Sequence, residues 1–299
     1  MKQTPYVIFT DLDGTLLDHE SYSHQPAQPA LAVLRARNVP LVLCTSKTRL
    51  EVEAIRAELG NEDPFIIENG AAVVVPHGCF PFPISEGKRA GSCDLIQLGV
   101  PYEEVVAALR YASESSGCPV RGFHDMSVRE VAARCGLTLY SAELAKAREY
   151  DEPFEVLTDS PKEICCLLNR IEVEGLTWTR GGRFYHIRGD HNKGQAVVIV
   201  AELYRRLNPG IITVGLGDSP NDISLLETVD VPIVLPSPYR ENVKAWRSSA
   251  SRWRVGLHAG PEGWNQAVLQ LLEDASRARR VEALSASTDA RSAPRLSAH

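Results

Sequence analysis

The chain has 299 residues and a formal net charge of −6 at pH 7, and 44% of its residues are hydrophobic. A chain of this length can bury a large core in one large or two moderate domains. Its basic residues are scattered and no apolar run approaches the length of a membrane span, which argues against nucleic-acid and membrane partners.

Two carboxylates directly follow the first predicted strand. The apolar run at residues 6–10 is typical of a buried strand, and Asp11 and Asp13 flank Leu12 just beyond it. Gly14 allows the sharp turn that would let both acids share one site at a strand end, where open α/β sheets bind ligands. One carboxylate of such a pair can attack an electrophile while the other acts as general acid and base. Taken alone, the pattern is equally compatible with a solvated loop.

A hydroxyl side chain, Ser46, follows the second predicted strand at residues 39–44. The helix predicted over residues 48–59 begins with Thr48 and Glu51 at the spacing of a capping box. Ser46 can donate to a phosphate oxygen beside the free amides at the start of this helix. Simple helix capping explains the segment equally well.

A stretch of mixed elements interrupts the alternation of strands and helices. It contains a predicted strand at residues 94–99, predicted helices at 102–115 and 161–174, and a hairpin-like segment at 176–187. This arrangement indicates a separate α+β domain inserted into the core.

Lys193 opens the helix predicted over residues 194–207. A cation at the start of a helix opposes the helix dipole, so a nearby anionic ligand would explain its position. The alternative is a solvated lysine, which is the usual state of a single lysine at a helix start.

A second pair of acids follows the strand predicted over residues 212–216. Asp218 would lie at the end of that strand and Asp222 in the first turn of the next helix, with Ser219 as its N-cap. Each acid has a common alternative role, one in a turn and the other at a helix dipole. Two transitions from strand to acid in one chain nevertheless favour four carboxylates that converge on one site.

The order of the elements predicts an α/β fold with a doubly wound, Rossmann-like parallel sheet. The strands are predicted near residues 6–10, 39–44, 65–67, 212–216 and 232–235, and they alternate with helices. The expected organisation is a core domain of residues 1–81 and 187–274 with an inserted α+β cap domain of residues 82–186. Residues 275–299 contain few large apolar side chains, which predicts a disordered tail.

Cysteine usage and the amino terminus both favour a cytoplasmic protein. The seven cysteines are odd in number and show no CxxC spacing, which is typical of reduced thiols packed as small apolar side chains. The residues before the first strand are followed by an apolar run that is too short for a signal peptide.

Taken in chain order, the groups around Asp11, Ser46, Lys193 and Asp218 closely resemble the four motifs of the haloacid dehalogenase superfamily of phosphohydrolases. The insertion between the second and third groups resembles the Cof-type cap of that superfamily. Within it, the segments 147–154 and 180–186, together with residues 67–71, resemble the mannosyl-3-phosphoglycerate phosphatases. This resemblance extends to about Glu273.

The resemblance implies an Mg²⁺-dependent phosphatase. Asp11 would attack phosphorus and form an aspartyl phosphate, and Asp13 would be the general acid and base. Ser46 and Lys193 would hold the phosphoryl oxygens.

The resemblance also implies a metal site at the strand ends. Asp11, the Asp13 carbonyl and Asp218 would bind Mg²⁺, which prefers oxygen ligands. Asn221 and Asp222 would not bind the metal themselves but would orient the residues that do.

The implied substrate is a small phosphorylated glycosyl-glycerate, mannosyl-3-phosphoglycerate, whose product mannosylglycerate is an organic solute. The residues expected to bind it are Asn69, Gly70, Arg148, Gly181, Gly182 and Arg183. Two of these assignments have alternatives, because Arg148 suits a solvated helix end and Gly181-Gly182 suits a hairpin turn. Glucosyl-3-phosphoglycerate, another sugar phosphate or a phosphomutase reaction fit the same core. A non-catalytic sugar-phosphate sensor would have lost Asp11 or Asp13, and both are present.

Overall fold

The computed structural model describes residues 6–180, 184–237 and 253–292, with side chains as far as residue 277. Two sheets lie within these ranges. The strands of the larger sheet are β1 (Tyr6–Thr10), β2 (Leu41–Cys44), β3 (Phe65–Ile67), β4 (Ala72–Pro76), β5 (Lys88–Ala90), β6 (Cys93–Gln97), β11 (Ile212–Gly217), β12 (Val231–Val234) and β13 (Arg254–Val255). The strands of the smaller sheet are β7 (Val120–Gly122), β8 (Asp151–Val156), β9 (Thr177–Arg180) and β10 (Tyr185–Arg188).

The larger sheet has the strand order β13-β12-β11-β1-β2-β3-β4-β6-β5. From β13 to β3 all neighbours are parallel, and β4, β6 and β5 add an antiparallel edge. Strand β1 lies between β11 and β2, so the segments that follow these three strands leave the same edge of the sheet. The predicted α/β class with a doubly wound parallel sheet is confirmed.

Helices cover both faces of the larger sheet. The α-helices within the described ranges are α1 (Gln28–Ala36), α2 (Arg49–Leu59), α3 (Tyr102–Ser116), α4 (Val128–Cys135), α5 (Leu139–Lys146), α6 (Pro161–Val173), α7 (Lys193–Leu207), α8 (Ile223–Thr228) and α9 (Gly260–Ser292). One apolar layer contains Leu34 of α1 and Trp264 of α9, and the other contains Val200 of α7 and Leu225 of α8. Because both faces are buried, the central strands are continuous apolar runs, as the sequence predicted.

The smaller sheet has the order β7-β8-β10-β9 and is antiparallel throughout. Helices α3 and α6 pack on it through a cluster that includes Leu109, Phe154 and Leu167. Helices α4 and α5 form a further small cluster around Phe123 and Ala142. We call residues 102–188 the smaller unit.

The boundary predicted at residue 82 differs from the structure. Strands β5 and β6 pair with each other, and β6 pairs with β4, so residues 88–97 extend the larger sheet. The strand predicted at residues 94–99 is β6, which ends at Gln97. Alternating apolar side chains identify a strand but not the sheet that it joins, because sheet membership depends on long-range pairing.

The tail also differs from its prediction, because α9 continues to Ser292 instead of ending near residue 274. Residues 275–292 contain no glycine or proline and many alanine, arginine and serine residues, so nothing in their composition stops the helix. Residues 293–299 lie outside the described residues. None of the helices in the described ranges has both the length and the hydropathy that a membrane crossing needs.

Candidate active site

The acids predicted from the two strand ends meet at one edge of the larger sheet. Asp11 follows β1, and its amide donates to the carbonyl of Leu216 in β11 at 2.9 Å. Gly14 has a φ of +78°, and a Cβ there would lie 2.7 Å from the Asp218 Oδ2 atom. Glycine therefore permits both the left-handed turn and the close approach of the two acidic loops.

Lys193 is fully buried between two of these acids. Its Nζ atom donates to Asp11 Oδ1 at 2.6 Å and to Asp222 Oδ1 at 2.7 Å. Burial alone would lower the pKa of Lys193, but the carboxylates of Asp11 and Asp222 outweigh it and raise that pKa. The alternative of a solvated lysine at a helix start is therefore wrong.

Asp222 organises the loop that carries Asp218. Its Oδ2 atom accepts from the amides of Asp218 and Ser219 at 3.1 and 3.0 Å, so both of its oxygens are in use. Asp218 Oδ1 accepts from the Thr15 hydroxyl at 3.0 Å. Burial, with a contribution from Asp222, raises the pKa of Asp218 to about 6.

Three carboxylates form a group with the spacing of a metal site. One oxygen each of Asp11, Asp218 and Asp222 lies within 4.8 Å of the others, and all three side chains are buried. Burial and the neighbouring Asp222 raise the pKa of Asp11 well above its ordinary value. Three acids against one lysine leave an excess of negative charge, which a hard divalent cation with oxygen ligands would relieve. The residues therefore fit such a cation.

The Asp13 side chain forms a separate contact with Lys47. Lys47 Nζ lies 2.9 Å from Asp13 Oδ2, and the lysine side chain is only 13% exposed. Burial opposes protonation of Lys47, but Asp13 and Glu51 outweigh it and raise its pKa. No local sequence pattern identified Lys47 as a site residue, although it directly follows Ser46 at a strand end.

The loop that contains Ser46 is bound to the smaller unit. Arg148 donates from Nε to the Ala145 carbonyl at 3.1 Å and from one terminal nitrogen to the Ser46 carbonyl at 2.9 Å. The Thr48 hydroxyl donates to the Leu144 carbonyl at 2.9 Å. Arg148 therefore holds the backbone of the loop that contains Ser46, and the alternative of a solvated helix end is wrong. The predicted residues Gly181, Gly182 and Arg183 lie outside the described residues.

Residues 68–70 form a strained turn that links the motif loops. Glu68, Asn69 and Gly70 have φ angles of +44°, +59° and +96°. Such a conformation persists in non-glycine residues only where surrounding contacts hold it. Asn69 Oδ1 accepts from Asn221 at 3.0 Å, and a Cβ on Gly70 would lie 2.2 Å from the Asn192 carbonyl oxygen. The structure thus gives Gly70 a packing role, while substrate binding by Asn69 and Gly70 stays a prediction.

The Glu68 carboxylate is fully buried where its loop contacts the smaller unit. It accepts from the amides of Glu149 and Tyr150 at 2.8 and 3.0 Å. Burial raises the pKa of Glu68 to about 7. No local pattern identified this residue, because its role depends on contacts with a segment about eighty positions away.

Replacing Glu68 with glutamine should change how stability depends on pH. The folded protein holds the Glu68 proton up to about pH 7, whereas the unfolded chain releases it near its ordinary value of 4.5. Protonation therefore favours the folded state, and stability is lost as the pH rises through this window. The difference in unfolding free energy, wild type minus Glu68→Gln, should fall by up to about 3 kcal/mol between pH 4.5 and 8.

Urea denaturation at several pH values measures this difference. Glu58→Gln, at an exposed position, is the matched control and should follow the wild-type protein at every pH. A difference between wild type and Glu68→Gln that stays constant over the window would contradict the prediction.

The chain is similar to known proteins over most of its length. Residues 8–79 match the model of the haloacid dehalogenase-like hydrolases. A glucosyl-3-phosphoglycerate/mannosyl-3-phosphoglycerate phosphatase of Methanococcoides burtonii is 38% identical over 267 residues, which is 89% of this chain and 97% of the relative. A protein of the same name from Persephonella marina is 42% identical over 274 residues, covering 91% and 98% of the two chains.

A solved structure of a HAD subclass IIB sugar phosphatase, BT4131, has the same fold. The TM-score is 0.57 at 18% identity, and the match covers 89% of this chain and 98% of the other. The resemblance to the superfamily seen in the four motifs is confirmed. The chain belongs to the haloacid dehalogenase-like hydrolases, in the family of the glucosyl-3-phosphoglycerate/mannosyl-3-phosphoglycerate phosphatases.

Proposed function

We propose that this protein is a phosphomonoesterase that releases phosphate from mannosyl- and glucosyl-3-phosphoglycerate. The observation that carries the proposal is the buried cluster of Asp11, Lys193, Asp218 and Asp222 at the strand ends, with Asp13 beside it. Two relatives that align over nearly the whole chain are named for both substrates, so the proposal includes both sugars.

Asp11 is the nucleophile in the proposed reaction. Its carboxylate attacks phosphorus, the bond to the ester oxygen breaks, and Asp13 supplies the proton that this oxygen needs. Asp13 then removes a proton from the water that hydrolyses the aspartyl phosphate, which restores both residues. Lys193, held 2.6 Å from Asp11, and the Ser46 hydroxyl stabilise charge on the phosphoryl oxygens.

The proposed cofactor is Mg²⁺, which supplies charge neutralisation when it is bound. Asp11, Asp218 and the Asp13 carbonyl would hold it. Asp222 uses both oxygens on Lys193 and on backbone amides, which suits a supporting role beside Asn221.

The smaller unit is the proposed cap and binds the part of the substrate that is not phosphate. This role is supported by its hydrogen bonds with the Ser46 carbonyl and the Thr48 hydroxyl, which belong to the loop of the candidate site. We propose that Arg148, Gly181, Gly182 and Arg183 contact the glycosyl-glycerate moiety, because an arginine can bind a carboxylate through two parallel hydrogen bonds.

Phosphate release from four esters tests the function. The assay compares mannosyl-3-phosphoglycerate, glucosyl-3-phosphoglycerate, glucose 6-phosphate and p-nitrophenyl phosphate, each with Mg²⁺ and with EDTA. We expect metal-dependent release, with kcat/KM for both glycosyl-phosphoglycerates well above that for the other two esters. Failure to release phosphate from any ester would refute the proposal, and a preference for glucose 6-phosphate would refute its substrate.

A further inference from the structure

Two lysines lie at the acids of the site, and the proposed reaction uses only one of them. Lys193 contacts the proposed nucleophile Asp11, whereas Lys47 contacts the proposed general acid Asp13. In a phosphoryl transfer the nucleophile and the leaving group lie on opposite sides of phosphorus. Because Asp13 serves the leaving oxygen, Lys47 lies on the side of the leaving group.

The position of Lys47 is fixed by its surroundings. Its amide donates to the Thr45 hydroxyl at 3.3 Å, and its carbonyl accepts from the amide of Glu68 at 3.0 Å. Its ammonium group lies 5.0 Å from the centre of the Tyr22 ring. A lysine held in this way has already lost much of the freedom that a flexible side chain would lose on binding a ligand.

The ion pair of Lys47 and Asp13 has unused capacity for hydrogen bonds. An ammonium group has three donors, and within the described part of the chain Asp13 Oδ2 is the one acceptor at hydrogen-bond distance, 2.9 Å away. The nearest oxygen of Glu51 is 3.9 Å away, and its other oxygen accepts from the Thr48 amide. Asp13 Oδ1 is buried and makes no hydrogen bond with the described residues.

We infer that Lys47 binds the carboxylate of the glycerate leaving group and thereby selects substrates that carry it. In a 3-phosphoglycerate, two carbon atoms separate the ester oxygen from the carboxylate carbon. An ammonium group on one oxygen of Asp13 lies at most roughly 8 Å from an ester oxygen that the other oxygen protonates, because two hydrogen-bond lengths add to the width of the carboxylate. The carboxylate therefore falls within reach of Lys47. The inference rests on the proposed function.

The competing role for Lys47 is purely internal. A lysine that does no more than orient Asp13 would affect every alkyl phosphomonoester equally, because each releases an alcohol whose oxygen must be protonated. A lysine that binds the substrate carboxylate would affect only esters that contain that charge. The two roles therefore predict different effects of removing Lys47 on the preference for substrates with a free carboxylate.

The two roles are distinguished by measuring kcat/KM for two proteins, each with two substrates. The substrates are glucosyl-3-phosphoglycerate and its carboxyl methyl ester, which differ in the charge of one group. The proteins are wild type and Lys47→Met, with Lys47→Arg as the variant that keeps the charge and Lys162→Met as the control at an exposed lysine. We expect the wild type and Lys162→Met to prefer the charged substrate by roughly thirtyfold to a hundredfold in kcat/KM.

In Lys47→Met this preference should fall roughly tenfold or more, with the remainder due to the proposed arginine contacts, and Lys47→Arg should keep most of it. A Lys47→Met protein that loses activity equally on both substrates and keeps the full preference would overturn the inference. Phosphate release from p-nitrophenyl phosphate shows whether each variant is folded and competent.

Calorimetric binding of glucosylglycerate and of its methyl ester to wild type and Lys47→Met provides a second readout that needs no turnover. Equal affinities of the wild type for these two ligands would also overturn the inference, whereas an inactive wild type would refute the proposed function.

Discussion

Replacement of Asp11 by asparagine is expected to abolish phosphate release, with a loss of roughly 10⁴-fold or more in kcat. The side-chain amide of asparagine cannot attack phosphorus as the carboxylate does. Lys193 can still donate to the amide oxygen, and the change removes one of three crowded acids. The folded state should therefore keep its stability or gain slightly, because burial raises the pKa of Asp11 and disfavours its charge.

Phosphate release and thermal unfolding of the same preparation check this expectation. Asp159→Asn is the matched control, since it makes the same chemical change at an exposed position. An Asp11→Asn protein that is folded and keeps a substantial fraction of its turnover would remove Asp11 from the role of nucleophile.

Replacement of Lys193 by methionine is expected to damage both stability and activity. Methionine has a similar length, but it leaves Asp11 and Asp222 buried without the cation that lies within 2.7 Å of both. Removal of one partner from a buried ion pair typically costs about 3 to 5 kcal/mol of unfolding free energy. Activity should fall by roughly a hundredfold or more, because the phosphoryl oxygens lose a fixed positive charge.

A second variant separates the two effects. In Lys193→Met with Asp222→Asn, a neutral amide replaces one of the two repelling carboxylates. Urea denaturation should show that this double variant recovers part of the lost stability, while its phosphate release stays low. Recovery of activity together with stability would show that Lys193 serves the fold alone.

Hydrogen bonds also join the loops of the candidate site to the smaller unit. Glu68 holds the amides of Glu149 and Tyr150, and Arg148 holds the Ser46 carbonyl. These bonds connect the smaller unit to the loops that follow β2 and β3. If the proposed cap opens and closes, the hydrogen bonds of Glu68 and Arg148 must break or move with it. Substitution of Glu68 therefore probes that motion as well as stability.

Local sequence patterns determined the fold class and most of the candidate site. An apolar run that ends in acids identifies a strand end, and a capping residue after it identifies the helix that follows. These signals depend on neighbours within a few residues, so they located Asp11, Ser46, Lys193 and Asp218 correctly at the ends of elements.

Only the tertiary structure decided which of these residues touch. The bond between Lys193 and Asp11 joins positions 182 apart, and the contact between Lys47 and Asp13 depends on the neighbouring β1 and β2. The same holds for β5 and β6, whose pairing with the larger sheet differs from the predicted boundary. Side-chain periodicity reports only which face of an element is buried. The partner on that face, and with it the electrostatics of Lys47, Glu68 and Lys193, is set by packing between segments that are distant in the chain.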